Sequence, residues 1–359
     1  MRILQLIDSL EAGGAERMAV NYANGLAKQI EFSGLVVSRK EGPLVNQIDE
    51  GVSYLFLNRN NVIDFKALFK LRNYVLLHKV TVVHAHSTSF FLAFLLKLIH
   101  PSIKILWHDH YGDSEFLYKR PVLALRLIAP FFSGIIAVNQ KLKVWAQEIM
   151  HFENAIYLPN FPTEEKNITE DTVLEGIEGK RIICLANLRV QKDHFLLLDV
   201  AKKLKGSHPE WTFHLVGKDF DDAYSKQIQS LIIAHHLEKN VFLYGTKQDI
   251  KNILDQSTIA ILTSQSEGLP MAILEYGLHK KPVVVTAVGE LPMVIQNGKN
   301  GFLIDSQNDE LFYKAILELI EKELLRGDVG EALYKSVIEN YSEKRVLKQY
   351  LNWLQNSQK

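Results

Sequence analysis

Two glutamates placed eight residues apart are the side chains best suited to chemistry in this sequence. Glu267 precedes a run with helical spacing, Glu275 lies within that run, and Pro270 stands between them. Proline suits the first turn of a helix, where a backbone amide would have no helical partner anyway. Eight helical residues span at most about 12 Å. Because carboxylates accept hydrogen bonds from hydroxyls, the pair could hold a sugar at one end and a ribose at the other.

Glutamate is also a common helix former, so two ordinary helix carboxylates are the alternative interpretation. The surroundings of Glu275 favour a ligand as its partner over solvent, because its neighbours are apolar. Those neighbours are Ile273, Leu274, Tyr276 and Leu278.

The backbone around Pro270 adds a second kind of binding group. The first amides of a helix have no partner within the helix, and they attract phosphate. We therefore expect the segment to contact the phosphates of a donor through four residues, namely Gly268, Leu269, Met271 and Ala272.

Two basic residues follow an apolar run earlier in the same half of the chain. Arg189 carries a planar fork of donors that matches phosphate oxygens, and Lys192 adds a mobile charge three residues later. Together they could clamp a diphosphate and stabilise it as a leaving group. The alternative is a pair of solvent-facing charges in a loop.

A pair of glycines follows the first apolar run. Gly13 and Gly14 precede a segment of helical spacing. Without a Cβ, such residues let a phosphate approach backbone amides and the positive end of a helix. The spacing is not the GxGxxG fingerprint of dinucleotide-binding folds, and a tight turn without a ligand explains the pair equally well.

Four histidines follow two further apolar runs, His84 and His86 in one and His108 and His110 in the other. If the runs are neighbouring parallel strands, the imidazoles crowd one edge of a sheet. Three roles stay open. Metal ligation has no specific support from the spacing, and each histidine could simply cap a strand end. We favour contact with the reacting substrate, as general acid or charge partner, and expect no metal.

Parallel strands must position all of these residues. Short runs rich in valine, isoleucine and leucine alternate with helical segments, the pattern of strands joined by right-handed crossover helices. Ligands of such sheets bind beyond the carboxyl ends of the strands, where the candidate residues lie. The expected strands are 3–7, 33–37, 81–84, 103–107, 134–138 and 155–158 in a first set, and 181–186, 212–216, 241–244, 259–262 and 282–286 in a second.

Chain length and the break between these two sets predict the domain organisation. A chain of 359 residues exceeds the size that one hydrophobic core usually supports. Residues 159–162 contain two prolines, and the polar stretch 163–179 reads as an exposed linker. We predict an α/β fold with domains at residues 1–162 and 163–340. A terminal helix at 341–359 packs on either the second domain or the first.

The composition excludes several classes of protein. Forty-one basic residues balance 41 acidic ones, which argues against a nucleic-acid partner. The single cysteine, Cys184, excludes a disulfide within the chain and cysteine-rich metal sites. The first apolar run is too short for a signal peptide, and the longest, 90–99, is about ten residues, half of a membrane span. A cytoplasmic setting is expected.

Residues 115–132 mix basic and apolar side chains. Lys119, Arg120 and Arg126 lie among leucines and aromatic residues, as in segments that rest on a membrane surface. Peripheral contact with the inner face of a membrane and ordinary packing are the two interpretations.

These motifs together resemble the retaining GT-B glycosyltransferases, specifically glycosyltransferase family 4, also called glycosyl transferases group 1. The resemblance covers nearly the whole chain, and its strongest element is the Glu-x7-Glu motif of Glu267 and Glu275. It implies two Rossmann-like, doubly wound domains that face a central cleft. The first would bind the acceptor and the second the nucleotide-sugar donor.

The resemblance also implies a role for each motif. Glu267 would bind hydroxyls of the donor sugar and Glu275 the ribose. Arg189 and Lys192 would neutralise the diphosphate, and the glycine pair ending at Gly14 would let it approach. A histidine after the fourth predicted strand would face the reacting sugar, with His110 preferred and His108 as the alternative.

Two positions depart from the family pattern. Many members place an arginine five residues before the lysine, where this chain has Asn187, so the phosphate role passes to Arg189 by inference. A glutamate common after the Val288-Gly289 turn is replaced by Met293.

The activity implied is that of a hexosyltransferase that needs neither metal nor cofactor. It would move a sugar from a UDP- or GDP-linked donor to a hydroxyl of a carbohydrate or lipid-linked saccharide, in the synthesis of cell-surface polysaccharide or lipopolysaccharide. Two other functions stay open. An epimerase or phosphorylase of the same fold would lack an acceptor-dependent product, and a non-catalytic two-lobed binding protein would have no use for a diphosphate clamp.

Overall fold

The chain forms two compact units. A computed structural model describes residues 1–163, 169 and 171–356. Unit 1 comprises Met1–Thr163 together with Glu343–Lys359, and unit 2 comprises Glu164–Ser342. None of the helices in the described part of the chain is both long enough and apolar enough to cross a membrane.

Unit 1 is built on a parallel sheet of seven described strands in the order β3-β2-β1-β4-β5-β6-β7. The strands are β1 Arg2–Ser9, β2 Phe32–Lys40, β3 Ser53–Phe56, β4 Val82–His86, β5 Lys104–Asp109, β6 Gly134–Ala137 and β7 Ala155–Tyr157. The helices between them are α1 Gly14–Ala27, α2 Phe65–Leu77, α3 Phe90–Ile99, α4 Leu123–Ile128 and α5 Gln140–Glu148. This order places β1 and β4 side by side at the centre, where the chain reverses its direction of winding.

Alternation along each strand divides the residues of this sheet between two faces. One face carries Leu4, Leu6 and Trp107, which pack under α2 to α5. Ile7 lies on the other face, under α1. Gln5 and three of the four histidines alternate with the first set and are fully buried. Gln5 and these three histidines therefore lie on one side of the sheet.

Unit 2 is built on a second parallel sheet, whose six described strands run in the order β10-β9-β8-β11-β12-β13. The strands are β8 Arg181–Leu185, β9 Thr212–Val216, β10 Val241–Gly245, β11 Ile259–Leu262, β12 Val283–Thr286 and β13 Phe302–Ile304. The helices are α6 His194–Ser207, α7 Ala223–Ala234, α8 Ile250–Asp255, α9 Met271–Leu278, α10 Leu291–Val294, α11 Asp309–Glu321 and α12 Glu323–Tyr341. Apolar clusters lie on both faces of this sheet, as the continuous apolar strands require.

The predicted α/β fold is confirmed, and each predicted strand is present. The structure adds β3 and β13, which are four and three residues long. Both lie at an edge of a sheet. An edge strand pairs on one side only, so a short run without a strong apolar pattern is enough to form it.

The predicted exposed linker is wrong in part. Residues 164–168 and 170 lie outside the described residues, but Leu174 is buried in the core of unit 2. Thr172 donates its amide and its hydroxyl to the carboxylate of Asp249, at 2.9 and 2.8 Å. A polar side chain can be buried when it donates a hydrogen bond to a buried carboxylate. Composition alone does not reveal that such a partner exists.

The last helix, α13 Glu343–Asn356, belongs to unit 1. Tyr350 is fully buried, stacks on His84 with ring centroids 5.3 Å apart, and contacts Tyr22 of α1 edge to face. Trp353 donates its indole N–H to Asn154 at 3.3 Å. A Cβ at Gly134 would lie 2.5 Å from the Trp353 ring, so β6 needs a glycine where the helix crosses it.

Truncation of Tyr350 to alanine should destabilise unit 1 by about 3–5 kcal/mol, the usual cost of deleting a buried aromatic side chain. Hydrogen exchange of the amides of β4 and β5 should accelerate, while β8 and β11 keep their wild-type rates. Lys348→Ala, on the exposed side of the same helix, is the matched control. Unchanged exchange in β4 and β5 would show that α13 does not stabilise this unit.

Candidate active site

Unit 2 gathers the candidate donor-binding residues at one edge of its sheet. The loops after β8, β11 and β12 leave the carboxyl ends of three adjacent strands. Because all of these strands are parallel, their following loops lie at the same edge.

A buried ion pair occupies the middle of this edge. The Nζ of Lys192 lies 2.5 Å from Oε1 of Glu267, and the Ser264 hydroxyl donates to the same oxygen at 2.7 Å. The side chains of Lys192 and Glu267 are 19% and 6% exposed. Oε1 of Glu267 therefore accepts hydrogen bonds from both a cation and a hydroxyl.

Backbone and side-chain bonds connect the loops after β8 and β11. Thr263 donates its hydroxyl to the carbonyl of Lys192 at 3.0 Å. The amide of Gln265 donates to the carbonyl of Gln191 at 2.8 Å, and its side chain donates to Asp193 at 2.9 Å. Asp193 is in the left-handed region, φ 48°, and caps α6. These bonds fix the backbone that carries Lys192.

The loop after β12 closes the other side of the site. Gly289 has φ +57°, and a Cβ there would lie 2.3 Å from the carbonyl oxygen of Glu267. The amide of Glu290 donates to the carbonyl of Gly268 at 2.9 Å. Gly289 is thus needed for both its backbone conformation and its close approach.

Glu290 is a buried carboxylate at this edge of the sheet that was not among the residues expected from the sequence. Its side chain is only 5% exposed although it lies in a loop. The signal was a carboxylate directly after the Val288-Gly289 turn at the end of an apolar run. Met293, by contrast, is 71% exposed.

Helix α9 begins one residue later than predicted. Pro270 is its N-cap, with φ −67° and ψ 133°, and Met271 is the first helical residue. The ψ value is outside the helical range, so the first helical amides are those of Met271 and Ala272. Tyr276 anchors the helix, because its hydroxyl accepts from the amide of Leu185 at 2.7 Å and donates to Ile261 at 3.2 Å.

Glu275 lies on α9 one turn after Met271 and is half-buried. Gly268 and Leu269 form the loop between Glu267 and Pro270, and both are buried. The Glu-x7-Glu motif is therefore one continuous loop and helix.

Arg189 and Lys192 have different partners despite their closeness in sequence. Arg189 is exposed, and its guanidinium carbon lies 4.6 Å from the centre of the Phe220 ring. Lys218 reaches the same ring at 5.3 Å. The structure thus brings Lys192 to Glu267 and places Arg189 beside Phe220, after β9.

A cleft of about 240 Å³ opens next to this pair, at the ends of β8, β9 and β10. Its lining combines apolar side chains and glycines with two polar residues, namely Ala186, Leu188, Leu215, Gly217, Leu243 and Gly245 together with Asp219 and Gln229. An apolar wall of this kind suits a flat aromatic group.

Gly13 and Gly14 belong to unit 1. Gly13 is the N-cap of α1 and has extended backbone, φ −166°. A Cβ at Gly13 would meet the carboxylate of Glu16, so the glycine leaves room for a side chain of its own helix.

The four candidate histidines, all in unit 1, do lie together. Nε2 of His84 is 3.1 Å from Nδ1 of His108, and Nδ1 of His86 is 3.0 Å from Nε2 of His110. His84, His86 and His108 are fully buried, whereas His110 is partly exposed. Burial lowers the pKa of the first three well below the usual value and lowers that of His110 to about 3. All four are neutral at pH 7.

His84, His86 and His108 place ring nitrogens within 4.8 Å of one another, a spacing compatible with a metal ion. Direct hydrogen bonding already accounts for the closest approach. The ring planes of His84 and His108 are inclined by 15° to each other, and their facing nitrogens are 3.1 Å apart.

Arg120 is not a membrane-facing cation, and for this residue ordinary packing is the correct one of the two interpretations of residues 115–132. It makes a two-pronged ion pair with Asp109, at 2.6 and 2.9 Å. The guanidinium is also stacked between Tyr111 and Trp145, at 4.3 and 4.4 Å. A planar guanidinium pairs with carboxylates and stacks on aromatic rings in this way. Arg120 therefore stabilises the packing of unit 1.

Other residues of the same segment are open to solvent. Tyr118, Leu123 and Leu127 are 79%, 72% and 68% exposed. Phe131 contacts Phe94 of α3, with ring centroids 4.9 Å apart. An apolar surface thus continues from α4 to α3.

Two doubly wound parallel sheets in separate units are the architecture of the GT-B glycosyltransferases. In this chain the second sheet carries an ion pair and the start of a helix at its carboxyl edge. Residues 12–161 match the family model described as Glycosyltransferase Family 4. Residues 169–336 match the model described as Glycosyl transferases group 1. The chain belongs to this family of glycosyltransferases.

Known proteins similar to the chain agree with this assignment. An uncharacterized glycosyltransferase of Haemophilus influenzae is 26% identical over 94% of this chain and 95% of its own length. The UDP-Gal:alpha-D-GlcNAc-diphosphoundecaprenol alpha-1,3-galactosyltransferase of Escherichia coli is 23% identical over 87% and 86%. The crystal structure of Anabaena HepE in complex with UDP-glucose superposes with a TM-score of 0.79 at 17% identity, covering 99% and 100%.

Acid should destabilise unit 1 through its neutral histidines. An unfolded histidine titrates near pH 6.5, so below that value the unfolded chain binds protons that the folded unit excludes. Stability is therefore full above pH 6.5 and falls as the pH drops. From pH 7.5 to 5.5 the loss should be about 1.4 kcal/mol for each such histidine.

Urea unfolding at the two pH values measures this loss. In His110→Gln it should shrink by about 1.4 kcal/mol. His236→Asn, at an exposed position of positive φ in unit 2, should leave it unchanged. An equal loss in wild type and His110→Gln would mean that His110 is not held neutral.

Proposed function

We propose that the chain transfers a sugar from a UDP-linked donor, bound by unit 2, to a hydroxyl acceptor bound by unit 1. The observation that carries the proposal is the buried Lys192–Glu267 pair beside the start of α9. Glu267 is set to accept from donor-sugar hydroxyls, and Glu275 from the ribose. The complexes of Anabaena HepE with UDP and UDP-glucose support a UDP donor over a GDP donor.

The diphosphate lies between Lys192 and the first amides of α9 in this proposal. A cation and a helix start both stabilise negative charge, and the charge on the diphosphate grows as the glycosidic bond breaks. Arg189, next to the cleft of about 240 Å³, adds a second cation, and the cleft takes the base. Because side chains and amides meet the phosphate charge, we propose that transfer needs no metal.

We further propose that transfer retains the anomeric configuration. Glu267 is a poor nucleophile, because one of its oxygens already accepts from Lys192 and Ser264. The bond from the anomeric carbon to the diphosphate oxygen breaks first. The acceptor hydroxyl then attacks the same face, and its proton passes to the departing diphosphate oxygen, which leaves as the nucleoside diphosphate.

For the histidine that contacts substrate, we propose His110 over His108. His108 is fully buried and bonded to His84, whereas His110 is the partly exposed member of the cluster.

Nucleotide binding tests the donor site directly. UDP at about 100 times its dissociation constant should stabilise the wild type by roughly 2.7 kcal/mol, without added metal and in the presence of EDTA. Glu275→Ala should lose most of this shift, because the ribose loses its acceptor. Glu238→Ala, at an exposed position of unit 2, is the control. Thermal unfolding with UDP, GDP and ADP measures the shifts.

If GDP or ADP alone stabilises the protein, the base is wrong but the site stands. If none of the three acts at millimolar concentration, the donor site is wrong, and a non-catalytic binding protein becomes the function to test.

The acceptor is a lipid-linked saccharide in this proposal, reached at the inner face of a membrane. Exposed apolar residues on α4 and the preceding segment, joined to α3 through Phe131 and Phe94, support membrane contact by unit 1. Lys119 and Arg126 lie in the same segment and suit anionic lipid. The relative in Escherichia coli carries diphosphoundecaprenol in the name of its acceptor.

Flotation with vesicles that contain phosphatidylglycerol tests the contact. Each buried leucine contributes about 1.5–3 kcal/mol, so Leu123→Glu with Leu127→Glu should weaken binding at least tenfold. Leu324→Glu, at a leucine that is 87% exposed in unit 2, is the matched control. Equal binding of both variants and wild type would exclude α4 as the contact.

A further inference from the structure

A row of three side chains runs from the interior of unit 1 to its surface. Oε1 of Gln5 lies 2.8 Å from Nε2 of His86, and Nδ1 of His86 lies 3.0 Å from Nε2 of His110. The two imidazoles are stacked at 21°. Gln5 and His86 are fully buried, and only His110 is partly exposed.

The order of donors and acceptors in this row follows from its buried end. The amide oxygen of Gln5 can only accept, so Nε2 of His86 carries a hydrogen. A neutral imidazole has one N–H, which leaves a lone pair on Nδ1 of His86. That lone pair accepts from Nε2–H of His110. Nδ1 of His110 is then bare.

A second proton on either ring is disfavoured. Burial lowers the pKa of His86 well below its usual value and that of His110 to about 3. The titratable groups packed against the row from neighbouring elements are uncharged at neutral pH. They are Tyr22 of α1, His84 of β4, His108 of β5 and Tyr350 of α13.

We propose that Gln5 and His86 are positioning residues that fix the tautomer of His110, so that its Nδ1 accepts a hydrogen bond from a hydroxyl of the sugar substrate. His110 then orients a hydroxyl and does not act as a general acid. This inference rests on the proposed transferase function, which supplies the hydroxyl. It adds two fully buried residues to the machinery, because a histidine that could adopt either tautomer would donate as readily as it accepts.

The tautomers themselves can be observed without a substrate. Long-range ¹H–¹⁵N spectra of the protein labelled with ¹⁵N-histidine, at pH 7.5, should show His86 and His110 as neutral rings with the hydrogen on Nε2. His86→Asn and His110→Gln assign the two signals. A hydrogen on Nδ1 of His110 would mean that the row runs in the opposite direction, and the proposal would be wrong.

Activity separates positioning from structural support. In His86→Leu the acceptor for His110 is lost, and kcat for release of UDP should fall about tenfold, with KM within twofold of wild type. Release from UDP-glucose, UDP-galactose or UDP-N-acetylglucosamine is measured, whichever is turned over. His86→Asn should restore most of kcat, because its Oδ1 takes the place of Nδ1. Equal losses in both variants would contradict the proposal.

Gln5→Glu provides a second variant of nearly identical shape. A carboxylate there still accepts from His86 but favours a second proton on that ring. Nδ1–H of His86 would then donate to His110 and reverse its tautomer. The kcat of Gln5→Glu should therefore fall on the acid side and recover at higher pH, while the wild-type profile lacks this ionisation.

Identical pH profiles for Gln5→Glu and wild type would overturn the inference. Elemental analysis serves as a further check, since a bound transition metal on these histidines would replace the hydrogen-bonded row. If the wild type releases UDP from none of the sugars, the proposed function fails, but the spectra still report the tautomers independently.

Discussion

The buried ion pair of Lys192 and Glu267 is the interaction on which the site of unit 2 depends. Removing one partner of such a pair leaves an uncompensated charge and typically costs about 3–5 kcal/mol. Here each partner is fixed independently, Glu267 by Ser264 and the backbone of Lys192 by Thr263. Both charges are thus held in place before a ligand arrives. Preorganised charges of this kind need little rearrangement when a phosphate leaves.

Parallel strands explain why so many loops meet at that pair. The described strands of the second sheet all end at the same edge, and the loops after β8, β11 and β12 bind one another directly. The close approach of Gly289 to the carbonyl of Glu267 shows how little room remains. The cost is that the loops after β8, β11 and β12 cannot vary separately, because each supplies bonds to the next.

The fold was predictable because continuous apolar strands and intervening helices leave few topologies open. Glu267, Lys192 and a helix start near Pro270 could be singled out in the sequence by residue type and spacing, although α9 begins one residue later than predicted. Contacts between side chains that are distant in the sequence were not predictable. The burial of Arg120 against Asp109, and of Thr172 against Asp249, depends on partners 11 and 77 residues away. Composition alone does not distinguish an arginine that is buried in an ion pair from one that faces a membrane. The missed Glu290 shows the same limit.

The two units share one architecture but differ in the charge of the side chains that it brings together. At its carboxyl edge unit 2 concentrates charged side chains, suited to a donor with a diphosphate. Unit 1 instead brings together three fully buried imidazoles, the partly exposed His110 and Gln5 of β1, and burial keeps the imidazoles uncharged. Neutral groups recognise hydroxyls through the direction of hydrogen bonds and not through charge. Their selectivity therefore depends on a fixed order of donors and acceptors. A cationic cluster there would attract phosphate, and in the proposed transferase it would compete with unit 2 for the diphosphate of the donor.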